Sequence, residues 1–372
     1  MEPIAKYIAL SLPQSVNAQE WLENELNGGK VPLYNLKVPD FQIGTLDSLV
    51  QESEELGKLD SQLAGSVAKI IEILESVTET SSARSVQGRD VLDYLENFNW
   101  NSSKYRLGKS IIDLVRLISN EALTLDGDVR AAYQSYQNAK SNFLAADRKR
   151  NGDLSIKSLH EIVKPEHFVL DSENLTSILV AVPKNLVKEF KDNYETITQF
   201  VIPRSAIEVA HDSEYFLYSV TLFKKYEQDF INQAREQKWH PRTDFVYSEE
   251  NLNNLRKEFD LSKATEVKSK NDLIRLTKTA YSEIFAALIH IKVIRVYVES
   301  VLRYGLPPQF DYYIVKFDRQ NLKNFTKAKK ELLAKFGYLG GHGFSNNQSL
   351  NEYASLVDTE YEPFVLYEIN IV

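Results

Sequence analysis

The chain has 372 residues, a length that suits two compact cores better than one. Apolar residues make up 43% and charged residues 26%, which is typical of a folded soluble protein, and the net charge of −8 argues against a general nucleic-acid binder. Because cysteine is absent, disulfides, thiol catalysis and cysteine-ligated zinc are excluded, and the composition fits a reducing compartment.

The chain carries no recognisable signal for membrane insertion. The segment Met1–Leu12 contains charged residues and lacks a long apolar core, so we expect no signal peptide. No stretch approaches the roughly 18 uncharged apolar residues that a membrane helix needs. We therefore expect a cytoplasmic protein that reaches a membrane only through its partners.

The N-terminal part predicts a strand followed by a long helix. Ile4–Leu12 has the composition of a strand, and residues 46–76 have that of a helix. Glu52, Glu54 and Glu55 near the start of that helix complement its dipole, so we interpret them as structural.

A heptad pattern follows and predicts a helix of about 40 residues, roughly 60 Å long. Apolar or small residues alternate at spacings of three and four without a break. These positions are Val115, Ile118, Ala122, Leu125, Val129, Ala132, Tyr136, Ala139, Phe143 and Ala146.

The middle of the chain predicts a mixed domain with its own core. Ser177–Val182 and Tyr215–Phe223 are rich in β-branched and aromatic residues and predict strands. Residues 184–200 and 224–238 predict helices.

A second heptad pattern returns after this domain, and Gly305, Pro307 and Pro308 end it. Its positions are Leu273, Thr277, Ala280, Ile284, Ala287, Ile291, Ile294, Val298 and Val301. The predicted elements beyond it are strands at Tyr312–Phe317 and Phe364–Ile371, with a helix at 319–336 between them.

These elements predict a helix-rich α+β fold shaped as an elongated dumbbell. A foot would be built from residues 1–110 and 305–372. Two antiparallel neck helices, 111–156 and 261–304, would lead to and from an inserted head domain, 157–260. Alternatively, each heptad pattern could bind a helix of another protein.

No constellation of residues predicts catalysis or cofactor binding. No phosphate-binding or dinucleotide-binding motif is present, and the Gly340–Gly343 segment lacks the lysine of a phosphate loop. The six histidines form no zinc-type pair, and Asp126–Asp128 lacks the other ligands of a calcium loop. Asp358, Glu360 and Glu362 would share a strand face, which we interpret as solvated. We therefore predict no catalytic, cofactor-binding or metal-binding residues.

Three aromatic residues are the candidates for partner binding, because aromatic side chains concentrate interface energy. Phe245 and Tyr247 lie where the head should return to the neck, and Phe364 lies in the last predicted strand. Each could instead pack in a core. Four charged residues at helical spacing predict either surface ion pairs or a docking face. They are Lys292, Arg295, Glu299 and Arg303.

Several strings together resemble the C subunit of the eukaryotic vacuolar-type proton-pumping ATPase (V-ATPase), in order and across nearly the whole chain. The longest, His290–Pro307, lies on the returning helix. One departure is Leu288, which stands where a tryptophan is expected. The other matching strings are Arg148–Leu154, Ser158–Leu170, Val180–Lys184, Tyr194–Thr196, Val201–Ser205, Val220–Lys224 and Tyr361–Tyr367.

The resemblance implies a head and a foot joined by a neck, and a non-catalytic role in the stator of the pump. It implies bridging between peripheral stalks, which are heterodimers of the E and G subunits, and the cytosolic N-terminal domain of the membrane-sector a subunit. It further implies release when the pump is disassembled, and a location at the cytosolic face of vacuolar and other internal membranes. Actin and nucleotide binding are ascribed to some relatives, and no motif for either is present.

Two other functions remain open on the residues alone. One is a free-standing cytosolic tether or actin-binding cytoskeletal adaptor with the same dumbbell. The other is an enzyme whose site has no recognisable motif. Co-purification with the E and G subunits would separate the stator from the tether, and turnover that point mutations abolish would indicate the enzyme.

Overall fold

The computed structural model describes residues 4–78, 84–170, 172–245, 249–340 and 363–371. The chain divides into two compact units. Unit 1 comprises Met1–Ala131 and Leu273–Val372, and unit 2 comprises Ala132–Asp272. The boundary therefore falls within two long helices, which are named below.

Both units combine helices with strands. The helices are α1 (Ala18–Asn24), α2 (Leu46–Val77), α3 (Val91–Glu96), α4 (Ile111–Asn151), α5 (Val187–Asn193), α6 (Glu227–Glu236), α7 (Glu249–Tyr304) and α8 (Phe325–Phe336). The strands are β1 (Ala5–Pro13), β2 (Leu33–Asn35), β3 (Ser85–Val86), β4 (Arg89–Asp90), β5 (Leu175–Pro183), β6 (Ile207–His211), β7 (Tyr215–Phe223), β8 (His240–Pro241), β9 (Phe310–Phe317) and β10 (Val365–Ile371).

The α+β class is confirmed, and so are both heptad helices. The first is α4, and the second is the C-terminal part of α7, which begins earlier than the pattern predicted, at Glu249. It ends at Gly305, which takes a left-handed φ of 85° and donates its amide to the Val301 carbonyl at 2.9 Å. Glycine adopts this conformation without a steric penalty, so the termination predicted there is confirmed.

The helix predicted at 184–200 is wrong beyond Asn193. A short 3₁₀ turn and α5 end there, and Val201 then pairs in an antiparallel bridge with Leu222 of β7. Tertiary pairing with the sheet thus overrides the local helical preference of this segment. The consequence is that Phe200 lies in a loop and not on a helix.

Unit 1 contains an antiparallel sheet in the order β10-β1-β9-β2. On one face, Ile8, Leu10 and Leu12 of β1 pack in a core with residues of α1 and α8. On the other face, Ser11 contacts α7: the Ser300 hydroxyl lies 2.7 Å from the Ser11 hydroxyl. Because both faces are covered, β1 is apolar almost throughout instead of alternating.

Unit 2 contains an antiparallel sheet in the order β6-β7-β5-β8. Even-numbered residues of β5 and β7, such as Val180 and Val220, pack against α5 and α6. Odd-numbered residues, such as Leu179 and Leu217, pack against the segment 154–168 on the opposite face. This second cluster is smaller, because a loop and not a pair of helices covers it.

The two sheets have the same topology. Each is built from a strand, a helix, two strands, a helix and a strand, and the spatial order of the strands is second, third, first, fourth. This is the split β-α-β arrangement found in ferredoxin-like folds. In unit 1 the second and third strands are β2 and β9, so all of α2–α7 and unit 2 are inserted between them in the sequence.

Within unit 2, α4 and α7 run antiparallel. The Tyr136 hydroxyl lies near the Glu266 carboxylate, and further along α4 the Phe143 ring lies 5.7 Å from the Phe259 ring. The contacting residues have decreasing residue numbers along α7 as the numbers increase along α4. The antiparallel arrangement predicted from the heptads is therefore confirmed in this unit. Polar residues occupy the α7 side of the seam there, at Ser262 and Glu266, which explains why the apolar pattern started only at Leu273.

His290 is buried in unit 1 and has a structural role. Its Nδ1 lies 2.6 Å from the Ala286 carbonyl, and its Nε2 accepts the Asn101 amide at 3.2 Å. The ring packs against Trp100 at 4.8 Å. Burial lowers the pKa of His290 from 6.5 to about 4, because a protonated ring would be desolvated and could no longer accept at Nε2.

We expect His290 to make unit 1 sensitive to acid. Its pKa is lower folded than unfolded, so its contribution is present above pH 6.5 and is lost as the pH falls towards 4. A shift of this size corresponds to about 3 kcal/mol. Urea titrations across this range should show that the wild type loses more unfolding free energy than a His290→Gln variant. Equal losses would contradict the prediction.

Candidate partner-binding surfaces

The segment before Phe245 is held by Arg242, which is buried in unit 2. The Arg242 guanidinium donates to the carbonyls of Leu154 and Lys157, each at 2.7 Å, and to both carboxylate oxygens of Asp244. The hydrogen bonds and charge of Arg242 lower the pKa of Asp244. The chain therefore reaches Phe245 in a fixed geometry.

Phe245 is half-buried and packs on the smaller apolar cluster of unit 2. Its ring stacks on that of Phe168 at 5.7 Å and lies 4.9 Å from the His160 ring. One side of the Phe245 ring therefore packs against the protein. The contact of Phe245 with a partner stays a prediction. Tyr247 lies outside the described residues.

Phe364 is in the core of unit 1. It is 0% exposed, and its ring packs edge-on against Phe336 of α8 at 6.0 Å. This placement fits the core-packing alternative that the sequence left open. Because the ring is fully buried in this structure, it presents no surface to a partner. Its role in partner binding stays a prediction.

The four charged residues predicted on the surface of α7 are instead largely buried in unit 1. Lys292 and Arg295 both bind Asp60 of α2, with nitrogen–oxygen distances of 2.7 Å. The Arg295 guanidinium lies 4.2 Å above the Tyr367 ring of β10. Helical spacing correctly placed the four residues on one face of α7. That face is covered by other parts of unit 1, so the prediction that these residues lie on the protein surface is wrong.

The aromatic residues with the greatest exposure in unit 2 form a surface that the sequence did not predict. Phe200 is 57% exposed and Phe223 is 37% exposed. The Phe200 ring lies 5.7 Å from that of Phe223 and stacks on Tyr226 at 5.1 Å. We call these three residues the aromatic surface. Large exposed apolar residues that lie together commonly mark an interaction site.

The position of the aromatic surface follows from the sheet. Phe223 ends β7 on the face that carries Leu217, and the segment that covers this face reaches Ser177, whose hydroxyl accepts the Val169 amide at 3.0 Å. Ile207 of the edge strand β6 is also 51% exposed. Phe223 therefore lies just beyond that cover and is partly exposed.

The loop that carries Phe200 is conformationally strained. Phe200 and Arg204 have φ angles of 61° and 58°, a region that costs a residue with a side chain about 1 kcal/mol. Such strain persists where surrounding structure enforces it and is concentrated at functional sites. In the sequence, the nearby Pro203 could have indicated that Phe200 lies in a loop. The prediction of a helix over 184–200 instead assigned Phe200 to that helix.

The rim of the aromatic surface is basic. Arg204, Lys224 and Lys225 are exposed, and the Lys225 ammonium lies 5.8 Å from the Tyr226 ring. The segments 196–206 and 221–226 contain no acidic residue. An aromatic centre with cationic neighbours is the composition that protein interfaces favour.

Neither a membrane span nor a metal site is found in the described ranges. None of their helices has both the length and the apolar character that crossing a bilayer requires. Their His, Asp and Glu residues form no group of three or more that could hold a metal ion.

Comparison with known proteins identifies the family. The profile that describes the C subunit of the V-ATPase matches residues 7–365. The chain belongs to the V-ATPase C-subunit family. The V-type proton ATPase C subunit of Saccharomyces cerevisiae is 49% identical to this family member over 98% of this chain and 97% of its own length. That of Caenorhabditis briggsae is 36% identical over 98% and 97%.

A solved structure shows a weak similarity to this C-subunit family member. It is the cytoplasmic N-terminal domain of the V-ATPase I subunit, described as a homolog of the a subunit, with a TM-score of 0.34 and 13% identity. The similarity covers 90% of this chain and 98% of that one. Values this low support no argument about fold or partner.

Proposed function

We propose that this C-subunit family member is a non-catalytic stator component of the V-ATPase. It bridges peripheral stalks of the E and G subunits and the N-terminal domain of the a subunit at the cytosolic face of vacuolar and other internal membranes. The observation that carries the proposal is the match of nearly the whole chain to proteins named as the C subunit of the V-type proton ATPase. Because the match includes both units, it supports a role that uses both.

We also propose the division into foot, neck and head given by residues 1–110 with 305–372, 111–156 with 261–304, and 157–260. Separate cores in unit 1 and unit 2 support the presence of two docking lobes. Paired antiparallel helices would separate those lobes and resist the torque of rotary catalysis. Two modest interfaces joined by a spacer hold together through effective concentration and release when one is broken.

We assign the head's contact with a stalk to the aromatic surface. The proposal follows from its exposed rings and basic rim, which together resemble an interface hot spot. The head contact would be the tighter of the two, because apolar burial does not weaken with salt as exposed charge pairs do. Phe245 and Tyr247 remain proposed contributors on the same lobe.

Replacing the two exposed phenylalanines should weaken binding to the E–G heterodimer. We expect Phe200→Ser/Phe223→Ser to raise the dissociation constant by about 30-fold or more, since hot-spot residues contribute about 2 kcal/mol or more. Calorimetry with the purified full chain measures this. Leu261→Ser, at a residue of α7 that is 70% exposed, is the matched control and should bind normally.

The outcomes separate the surface from the function. A double variant that folds and binds like the wild type would reject the aromatic surface as the contact. A wild-type chain that neither binds the heterodimer nor co-purifies with the E and G subunits would reject the stator function and favour the free-standing tether.

A further inference from the structure

The segment 319–340 of unit 1 is strongly basic. It contains six basic residues and one acidic residue, Glu331, whereas the whole chain has a net charge of −8. The basic residues are Arg319, Lys323, Lys327, Lys329, Lys330 and Lys335. A local basic surface on an acidic protein directs association with partners of opposite charge.

The apolar side of α8 is already occupied. Phe325, Ala328, Leu332 and Phe336 are buried in the core of unit 1. The lysines that point away from that core are exposed, and the Lys327 side chain retains 68% of its accessible surface. We call Lys323, Lys327 and Lys330 the α8 lysine face.

The acidic residues near this face are only partly available to it. The Asp318 carboxylate accepts the amides of Gln320 and Asn321 at 3.0 and 3.1 Å. Glu331 accepts the Asn27 amide at 2.8 Å and lies 3.6 Å from Lys327. Among the described residues, Lys323 and Lys330 therefore have no carboxylate within 4.0 Å.

Other cations extend the surface. The carbonyl of Lys30, itself an exposed residue, accepts the Asn321 amide side chain at 3.4 Å, which places Lys30 beside the start of the segment. Lys6 lies 4.9 Å from the Phe325 ring at the N-terminus of α8. The positive charge is thus contributed by β1, the segment before β2 and α8 together.

The α8 lysine face corresponds in topology to the aromatic surface. Each follows the third strand of its sheet: Phe223 ends β7, and the segment after Phe317 of β9 leads to Lys323 and α8. The two units therefore present their candidate surfaces at equivalent places in the same fold. One surface is aromatic and the other is cationic.

We propose that the α8 lysine face binds an acidic protein segment of another V-ATPase component, mainly by charge. The inference rests on the proposed function and gives the chemistry of the foot contact. A lipid surface fits less well, because the other exposed residues of α8 are Thr326, Ala334 and Lys335, and none of them is a large apolar side chain that could insert. Contacts of this kind are screened by salt, which makes the foot the readily released end.

Charge reversal in the full chain tests the inference. We expect Lys323→Glu/Lys327→Glu/Lys330→Glu to bind about tenfold more weakly than wild type to washed V-ATPase membranes that lack the C subunit, at low ionic strength. The difference should shrink as salt is raised. The control Lys58→Glu/Lys109→Glu/Lys278→Glu makes the same charge change at exposed positions of unit 1 and should bind like the wild type.

A carbodiimide, which joins an amine directly to a carboxylate, identifies the occupant in the intact complex. Crosslinks from the three lysines to Asp or Glu of another protein of the complex are the expected result. The inference is overturned if the crosslinks lead only to Glu352, Asp358, Glu360 or Glu362 of this chain. It is also overturned if wild type, but not the variant, binds phosphatidylserine vesicles while no protein crosslink forms.

The remaining outcomes distinguish this inference from the proposed function. If the wild type binds the membranes and the lysine variant matches the control at every salt concentration, the α8 lysine face is not the contact. If the wild type binds neither the membranes nor the E–G heterodimer, the stator function itself fails.

Discussion

Replacing Asp60 with leucine should lower the unfolding free energy of unit 1 by about 3–5 kcal/mol. Asp60 is 5% exposed and neutralises two cations, Lys292 at 2.7 Å and Arg295 at 2.7 Å. Without the carboxylate, two largely buried positive charges would each lose a charge partner that lies 2.7 Å away. Urea titration followed by tryptophan fluorescence measures the loss.

Two further variants separate the loss of charge pairing from the loss of packing. Glu54→Ala removes an exposed carboxylate from the same helix and should change the midpoint little. The triple variant Asp60→Leu/Lys292→Met/Arg295→Met removes all three charges and should recover most of the stability, because apolar residues can replace a buried ionic group. A triple variant as unstable as the single one would show that unpaired charge is not the cause.

Truncating Phe364 to alanine should destabilise unit 1 by about 3–5 kcal/mol, the usual cost of removing a buried phenylalanine ring. The ring fills space between β10 and α8, where it contacts Phe336, and its loss leaves a cavity. Urea titration measures the effect. Tyr338→Ala is the control, because this nearby ring is 63% exposed and contributes little to the core.

The same variant decides between the two roles considered for Phe364. If stability is unchanged while affinity for the E and G subunits or the a subunit falls, Phe364 is a contact residue and the core role is wrong. If stability falls as expected, any loss of binding follows from the loss of folded protein.

The proposed bridging role would depend on the contrast between the two candidate surfaces. The aromatic surface offers apolar area, which keeps its affinity as salt rises, whereas the α8 lysine face offers charge, which salt screens. A protein held by one contact of each kind can leave one partner and stay bound to the other. That asymmetry would suit the reversible assembly proposed above.

Local patterns were enough to predict the longest regular elements. A heptad repeat depends only on spacing along the chain, so α4 and the C-terminal part of α7 could be recognised without any knowledge of their neighbours. Ala5–Pro13 and Tyr215–Phe223 could be recognised as strands from their composition. The glycine and prolines after Tyr304 predicted where the longest helix ends. The family resemblance was visible for the same reason, as strings of residues in order.

The surroundings of individual side chains depended on tertiary structure. Spacing placed Lys292 and Arg295 on one helical face, but only the packing of α2 and β10 showed that this face is covered. Phe200 became exposed because Val201 pairs with β7 and ends the helical segment. The shared topology of the two sheets was hidden because β2 has three residues and its neighbour β9 comes only after the insertion. Sequence determines which elements form, since their hydrogen bonds are local, whereas exposure and pairing arise from contacts between residues far apart in the chain.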